Sequence, residues 1–238
     1  MIDDLKYMCQ IYQITHRDKE ILESLKELID FNPQLDKNGR VLFQAGYKQI
    51  IDSMRDSLGY LTQYLDMESG LGHNEMAKAI QDRKDTIVEQ LILMCKEAIT
   101  IIDQSLLPAC SEDKSYIFFI KYKADLYRYI SEYSDDTDSV SAANQAEQLY
   151  RKALDMGETA LAKTEPTWLS LILNAAVFQY EIRHNVELAS EMLEKAISDC
   201  DSSFQDLSPD EQKESANLNI IMRTNLTNWG LVEEDIPE

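Results

Sequence analysis

The apolar positions of this chain recur every three or four residues almost from end to end, the spacing of one face of an α-helix. Leu5, Met8, Cys9 and Tyr12 mark a first helix over 3–15. Ile21, Leu22, Leu25, Leu28 and Ile29 mark a second over 18–31, which Asn32 and Pro33 end. A third is predicted over 36–66 and contains Gly39, Gly46 and Gly59. Each glycine costs about 1 kcal/mol against alanine in a helix interior, so packing must offset them. The segment ESGLGHN, 68–74, reads as a loop. Ile80, Ile87, Leu91, Cys95 and Ile99 mark a fourth helix over 74–107, closed by Pro108.

A fifth helix is predicted over 113–133, then an acidic turn, SDDTDS, at 134–139. The sixth, 140–162, is softened at Gly157. Pro166 opens the seventh, 166–183, at a position where its missing N–H costs nothing. That helix is apolar on most sides, as befits one inside a stack. An eighth is predicted over 187–203. Ser208-Pro209-Asp210-Glu211 is a capping box for a ninth, which runs to about 229. Residues 231–238 read as a short acidic tail. The pattern thus predicts an all-α fold of nine helices in one domain over 1–230. Short connections make neighbours antiparallel. If the stack curves, every second helix lies on its concave side, which groups helices three, five, seven and nine.

Composition narrows the picture. The 238 residues are 44% hydrophobic, enough for a core and too many for disorder. The net charge of -20 argues against nucleic acid as a partner. No apolar run approaches the roughly 18 residues of a membrane span. The N-terminal MIDDLKYMCQ has no secretory pattern, so cytoplasm or nucleus is the expected compartment. Cys9, Cys95, Cys110 and Cys200 form no CxxC pair and read as buried free thiols, without a zinc site. Catalysis lacks an inventory. His16, His73 and His184 are scattered, and the single E-x-x-H at Glu181–His184 has no second copy for a carboxylate metal site. No metal and no cofactor are expected.

Against that acidic background, cations recur in one pattern. Lys48, Asp52 and Arg55 share a helix face, with the Asp four residues after the Lys and the Arg three later. Lys121, Asp125 and Arg128 repeat those intervals in KYKADLYRY, with Tyr129 beside the arginine. Each set reads either as a solvated face with i,i+4 ion pairs or as part of an anion site. Phosphoserine or phosphothreonine would suit the second reading, since arginine forks fit phosphate oxygens in pairs. On the seventh helix Asn174, Val177 and Glu181 form one stripe with Leu173 adjacent. Leu218, Ile221, Asn225 and Trp229 do the same on the ninth. Each stripe mixes apolar residues with one amide, which suits the backbone of an extended peptide. The stripes could also be core.

At these residues the sequence resembles the 14-3-3 family. The matching stretches are YKQIIDSMR, FFIKYKADLYRYISEY, LNAAVFQYEI and RTNLTNW, in family order. The resemblance implies nine antiparallel helices in a cup-shaped stack, usually dimeric, with a concave groove for phosphopeptides. It implies an adaptor that regulates client proteins in signalling. A helical-repeat scaffold for unphosphorylated peptides is the alternative. By motif match the phosphate pocket falls on Lys48, Arg55, Arg128 and Tyr129. The peptide groove falls on Lys121, Leu173, Asn174, Val177, Glu181, Leu218, Ile221, Asn225 and Trp229. The chain departs from the family after Arg55, where Leu58 stands for a tryptophan, and before Asn225, where Thr224 stands for an aspartate. The dimer interface implied by the resemblance involves Tyr12, Arg17, Leu58, Leu61 and Leu65. Its charged partners on helix four become Thr86 and Gln90, so a homodimer weaker than is usual for the family is expected.

Overall fold

The computed structural model describes residues 2–201 and 207–231. Among them are nine α-helices and no strand: α1 (Ile2–Ile14), α2 (Asp18–Phe31), α3 (Lys37–Gly70), α4 (Asn74–Ile101), α5 (Asp113–Tyr133), α6 (Asp136–Ala160), α7 (Pro166–Glu181), α8 (Val186–Asp201) and α9 (Pro209–Asn228). A π-helical turn, Ile102–Leu106, continues α4. The expected acidic tail lies outside the described residues, apart from Leu231.

The chain divides into two compact units, one of Met1–Ser111 with Tyr129–Ser139, the other of Glu112–Arg128 with Val140–Glu238. In the first unit α1 and α2 pack on each other and on α3, and α3 lies along α4. Its core holds Ile21, Leu25, Phe43, Tyr47, Leu91 and Cys95. Gly46 admits this packing, because a Cβ there would stand 2.7 Å from Leu25 Cδ1. The Asp36 carboxylate caps α3 by accepting from the Gly39 N–H at 2.8 Å. In the second unit α7 packs against α8 and α9 around Leu169, Leu171, Ala176, Phe178, Leu193 and Met222. The capping box at Ser208 and Glu211 is formed, and Pro166 sits in the first turn of α7.

Two boundaries differ from the expected ones. Helix α3 runs on through Glu68 and Ser69 to Gly70. The glycine that stops it is Gly72, at φ +76°. Its N–H donates to Ser69 O and the His73 N–H to Glu68 O, the paired bonds of a left-handed C-terminal cap. The acidic turn after α5 is also shorter than expected, since α6 already begins at Asp136.

Cys9, Cys95 and Cys200 are buried free thiols, while Cys110 is half-buried. Burial pushes the Cys9 thiol up to about 11 and the Cys95 thiol up to about 12. Both are therefore protonated and unreactive near neutral pH.

Candidate functional site

In the first unit, α3 presents Lys48, Asp52 and Arg55 on one face, as the spacing predicts. The Lys48 ammonium pairs with the Asp52 carboxylate, and Arg55 Nη1 lies 3.8 Å from the other Asp52 oxygen. Arg55 Nη2 donates to both oxygens of Glu132, at 3.1 and 3.3 Å. Its guanidinium also lies over the Tyr129 ring, 4.7 Å from the centroid. One arginine is thus fixed by two carboxylates and an aromatic face. Glu132 was missed in sequence reading, although it follows Arg128 by four residues on the same helix.

In the second unit, α5 presents Lys121, Asp125 and Arg128. Lys121 Nζ meets Asp125 Oδ2 at 3.0 Å. Asp125 Oδ1 accepts from the Tyr150 hydroxyl at 2.5 Å and from Asn174 Nδ2 at 2.9 Å. Arg128 Nη1 donates to Glu181 Oε2 at 3.3 Å. Three helices, α5, α6 and α7, therefore meet at one carboxylate. Tyr150 carries no motif signal and was not anticipated. Lys121 and Asp125 side chains are only 5% and 3% exposed, whereas Lys48 and Asp52 are 50% and 36% exposed. Lys121, expected in the groove, is thus a buried strut in this structure.

The stripe on α7 comes out graded. Leu173 is buried, Asn174 and Val177 are half-buried, and Glu181 is exposed. One Asn174 amide proton already serves Asp125. On α9, Leu218 and Asn225 are half-buried and Ile221 is exposed. Trp229 stacks on Tyr180 of α7, centroids 4.2 Å apart and planes 9° from parallel. Except for Leu173, these stripes are surface rather than core.

The sequence model of the family described as "14-3-3 protein" matches residues 8–230. The chain belongs to the 14-3-3 family. The 14-3-3-like protein GF14 epsilon of Arabidopsis thaliana is 30% identical over 223 residues, covering 94% of this chain and 88% of the relative. The 14-3-3 protein 9 of Solanum lycopersicum is 30% identical over 99% of this chain and 89% of its own length. The 14-3-3-like protein C of Glycine max is 30% identical over 99% and 90%. The family fold is all-α, as found. Members of the 14-3-3 family are adaptors rather than enzymes, and the role that membership supports is that of a phosphopeptide-binding adaptor for client proteins. The scaffold for unphosphorylated peptides is not favoured.

Of the residues expected at the dimer interface of this 14-3-3 chain, Leu58 is the most covered. Leu58 is 2% exposed, so its apolar surface is already spent in the core of its own unit. Tyr12, Leu61 and Leu65 are half-buried, and Arg17 is exposed, paired with Glu20 and over the Tyr12 ring. Among the large apolar groups that α3 leaves exposed are Tyr60, Tyr64 and Met67. Thr86 and Gln90 are exposed on α4. No helix among the described residues is long and apolar enough to cross a membrane.

Proposed function

We propose that this chain binds phosphoserine or phosphothreonine segments of its clients and holds the phosphoryl group with Lys48, Arg55, Arg128 and Tyr129. The observation that carries this reading is the state of Arg55. Its guanidinium is oriented by the Tyr129 ring and by Glu132, yet its side chain is still 27% exposed. An oriented, accessible guanidinium loses little freedom when it takes a phosphate in paired hydrogen bonds. Membership in the 14-3-3 family supports the same assignment. The flanking peptide then runs along Val177 and Glu181 on α7 and Leu218, Ile221, Asn225 and Trp229 on α9. Leu173, Asn174 and Lys121 support it from beneath.

The chain works by binding alone, without a catalytic centre or cofactor, and acts as a single domain over 1–230, since one family model spans both compact units. It operates in the cytoplasm, with the nucleus also open to it, and engages neither nucleic acid nor membrane. It forms a homodimer through Tyr12, Arg17, Leu61 and Leu65, with the exposed Tyr60, Tyr64 and Met67 in place of Leu58. With Thr86 and Gln90 uncharged, apolar contact carries this dimer, which therefore changes little with salt. Sedimentation velocity over a concentration series tests it: a chain monomeric at tens of micromolar, or a dimer opened by salt, overturns the interface.

The phosphate assignment is tested with one peptide made with and without its phosphoryl group. Wild type binds only the phosphorylated form. Arg55→Ala and Arg128→Ala each lose about 2–5 kcal/mol, roughly thirtyfold to several thousandfold in affinity, and binding falls with added salt. Equal binding of the two peptides, or a variant within about threefold of wild type, overturns it.

A further inference from the structure

Helix α7 presents a second stripe. Trp168, Ile172, Ala175 and Gln179 recur at intervals of four, three and four, about half a turn round the helix from Asn174, Val177 and Glu181. These four residues line a cavity of about 430 Å³ within the second unit. Leu154 of α6 and Leu188 and Met192 of α8 complete its apolar lining. A volume of roughly 300–1,000 Å³ is usual for small-molecule sites.

Three features define what it would hold. Trp168 is only 5% exposed, yet its indole N–H meets no acceptor. The nitrogen itself is covered by protein, so the indole offers the cavity apolar surface rather than a donor. The ring is also held in place. A Cβ at Gly157 would stand 2.8 Å from Trp168 Cζ3, so only glycine leaves room for the indole edge opposite the N–H. Lys163 Nζ sits 3.9 Å from the ring centroid. Finally, the charges around the opening cancel. Glu147 is met by Arg183 at 2.5 Å and by Arg151 at 3.6 Å, and Glu158 by Lys163 at 2.7 Å. Lys195, Asp155 and Asp199 bring the total to four cations and four carboxylates. No excess charge remains for a ligand to match.

We propose that the cavity between α6, α7 and α8 binds an uncharged, flat, largely apolar small molecule. The site lies on the opposite face of α7 from the peptide stripe and does not depend on the phosphate assignment.

The probe is 6-propionyl-2-(dimethylamino)naphthalene, an uncharged naphthyl ketone whose emission moves to the blue on leaving water. The full chain should bind it saturably, without displacement by a phosphopeptide. In a Trp229→Phe chain Trp168 is the sole tryptophan, and its emission should be quenched by energy transfer as the probe binds. Trp168→Phe keeps an aromatic side chain and removes part of the apolar wall, so affinity should fall about three- to tenfold. Leu188→Glu changes an exposed part of the lining. It should abolish saturable binding and leave the circular dichroism spectrum and phosphopeptide affinity unchanged. Absence of saturable binding by wild type, or displacement by phosphopeptide, overturns the proposal. So does wild-type affinity in Leu188→Glu, which decides the matter even where Trp168→Phe does not fold. Loss of phosphopeptide binding with probe binding intact would instead count against the phosphate assignment alone.

Discussion

Lys48, Asp52 and Arg55 on α3 and Lys121, Asp125 and Arg128 on α5 share residue types and spacing, and they end in different surroundings. On α3 the lysine–aspartate pair stands in solvent and involves partners one turn away. On α5 the same pair is buried, and its carboxylate also receives a tyrosine from α6 and an asparagine from α7. Helical spacing decides which side chains share a face. What covers that face decides whether the pair contributes to stability. An exposed pair is worth about 0–1 kcal/mol, because water screens it and ordering two long side chains costs entropy. A buried pair is different: taking away one partner leaves a charge with no compensation.

The comparison can be broken most directly at Asp125. Asp125→Ala strands the buried Lys121 ammonium and two donors, and should cost about 3–5 kcal/mol in urea unfolding. A loss no greater than that of the α3 equivalent would mean that burial does not separate the two sets. Tyr150→Phe sharpens the same point. It removes one hydrogen bond to a charged acceptor and should cost about 1.5–3 kcal/mol. The smallest effect is expected at Asp52→Ala, below about 1 kcal/mol and shrinking further in salt. That variant should unfold with the midpoint of wild type to within the spread of replicate curves.

The helices were legible because their signals are local. The capping box at Ser208, Pro166 at a first turn and Asn32 with Pro33 at an end each act within a few residues. The end of α3 was misplaced because Gly70 and Gly72 look alike in sequence, and only the second takes positive φ. That Lys48, Asp52 and Arg55, and likewise Lys121 and Asp125, meet on one helix face was legible through a repeated spacing set against an acidic chain. Their holders were not. Tyr150 approaches Asp125 from a helix 25 residues away, and such a contact leaves no periodicity. Leu58, expected at the interface from its motif position, is packed within its own unit, and burial of that kind is not visible in a motif. Asn174 was expected to serve a peptide backbone, and one of its protons is already committed to Asp125.

On the proposed phosphate assignment, the bond between Arg55 and Glu132 bears on which clients can be recognised. On that assignment a client anion competes with Glu132 for the Nη2 donors of Arg55. A client glutamate brings the same single charge and two oxygens that Glu132 supplies, so swapping one for the other gains almost nothing. A phosphoryl group brings about -1.5 to -2 charges and three acceptor oxygens, and the exchange runs forward. Glutamate mimics of a phosphorylated residue should therefore fail to dock. On the proposed assignment, the internal carboxylate sets a threshold that a phosphoryl group exceeds and a glutamate does not.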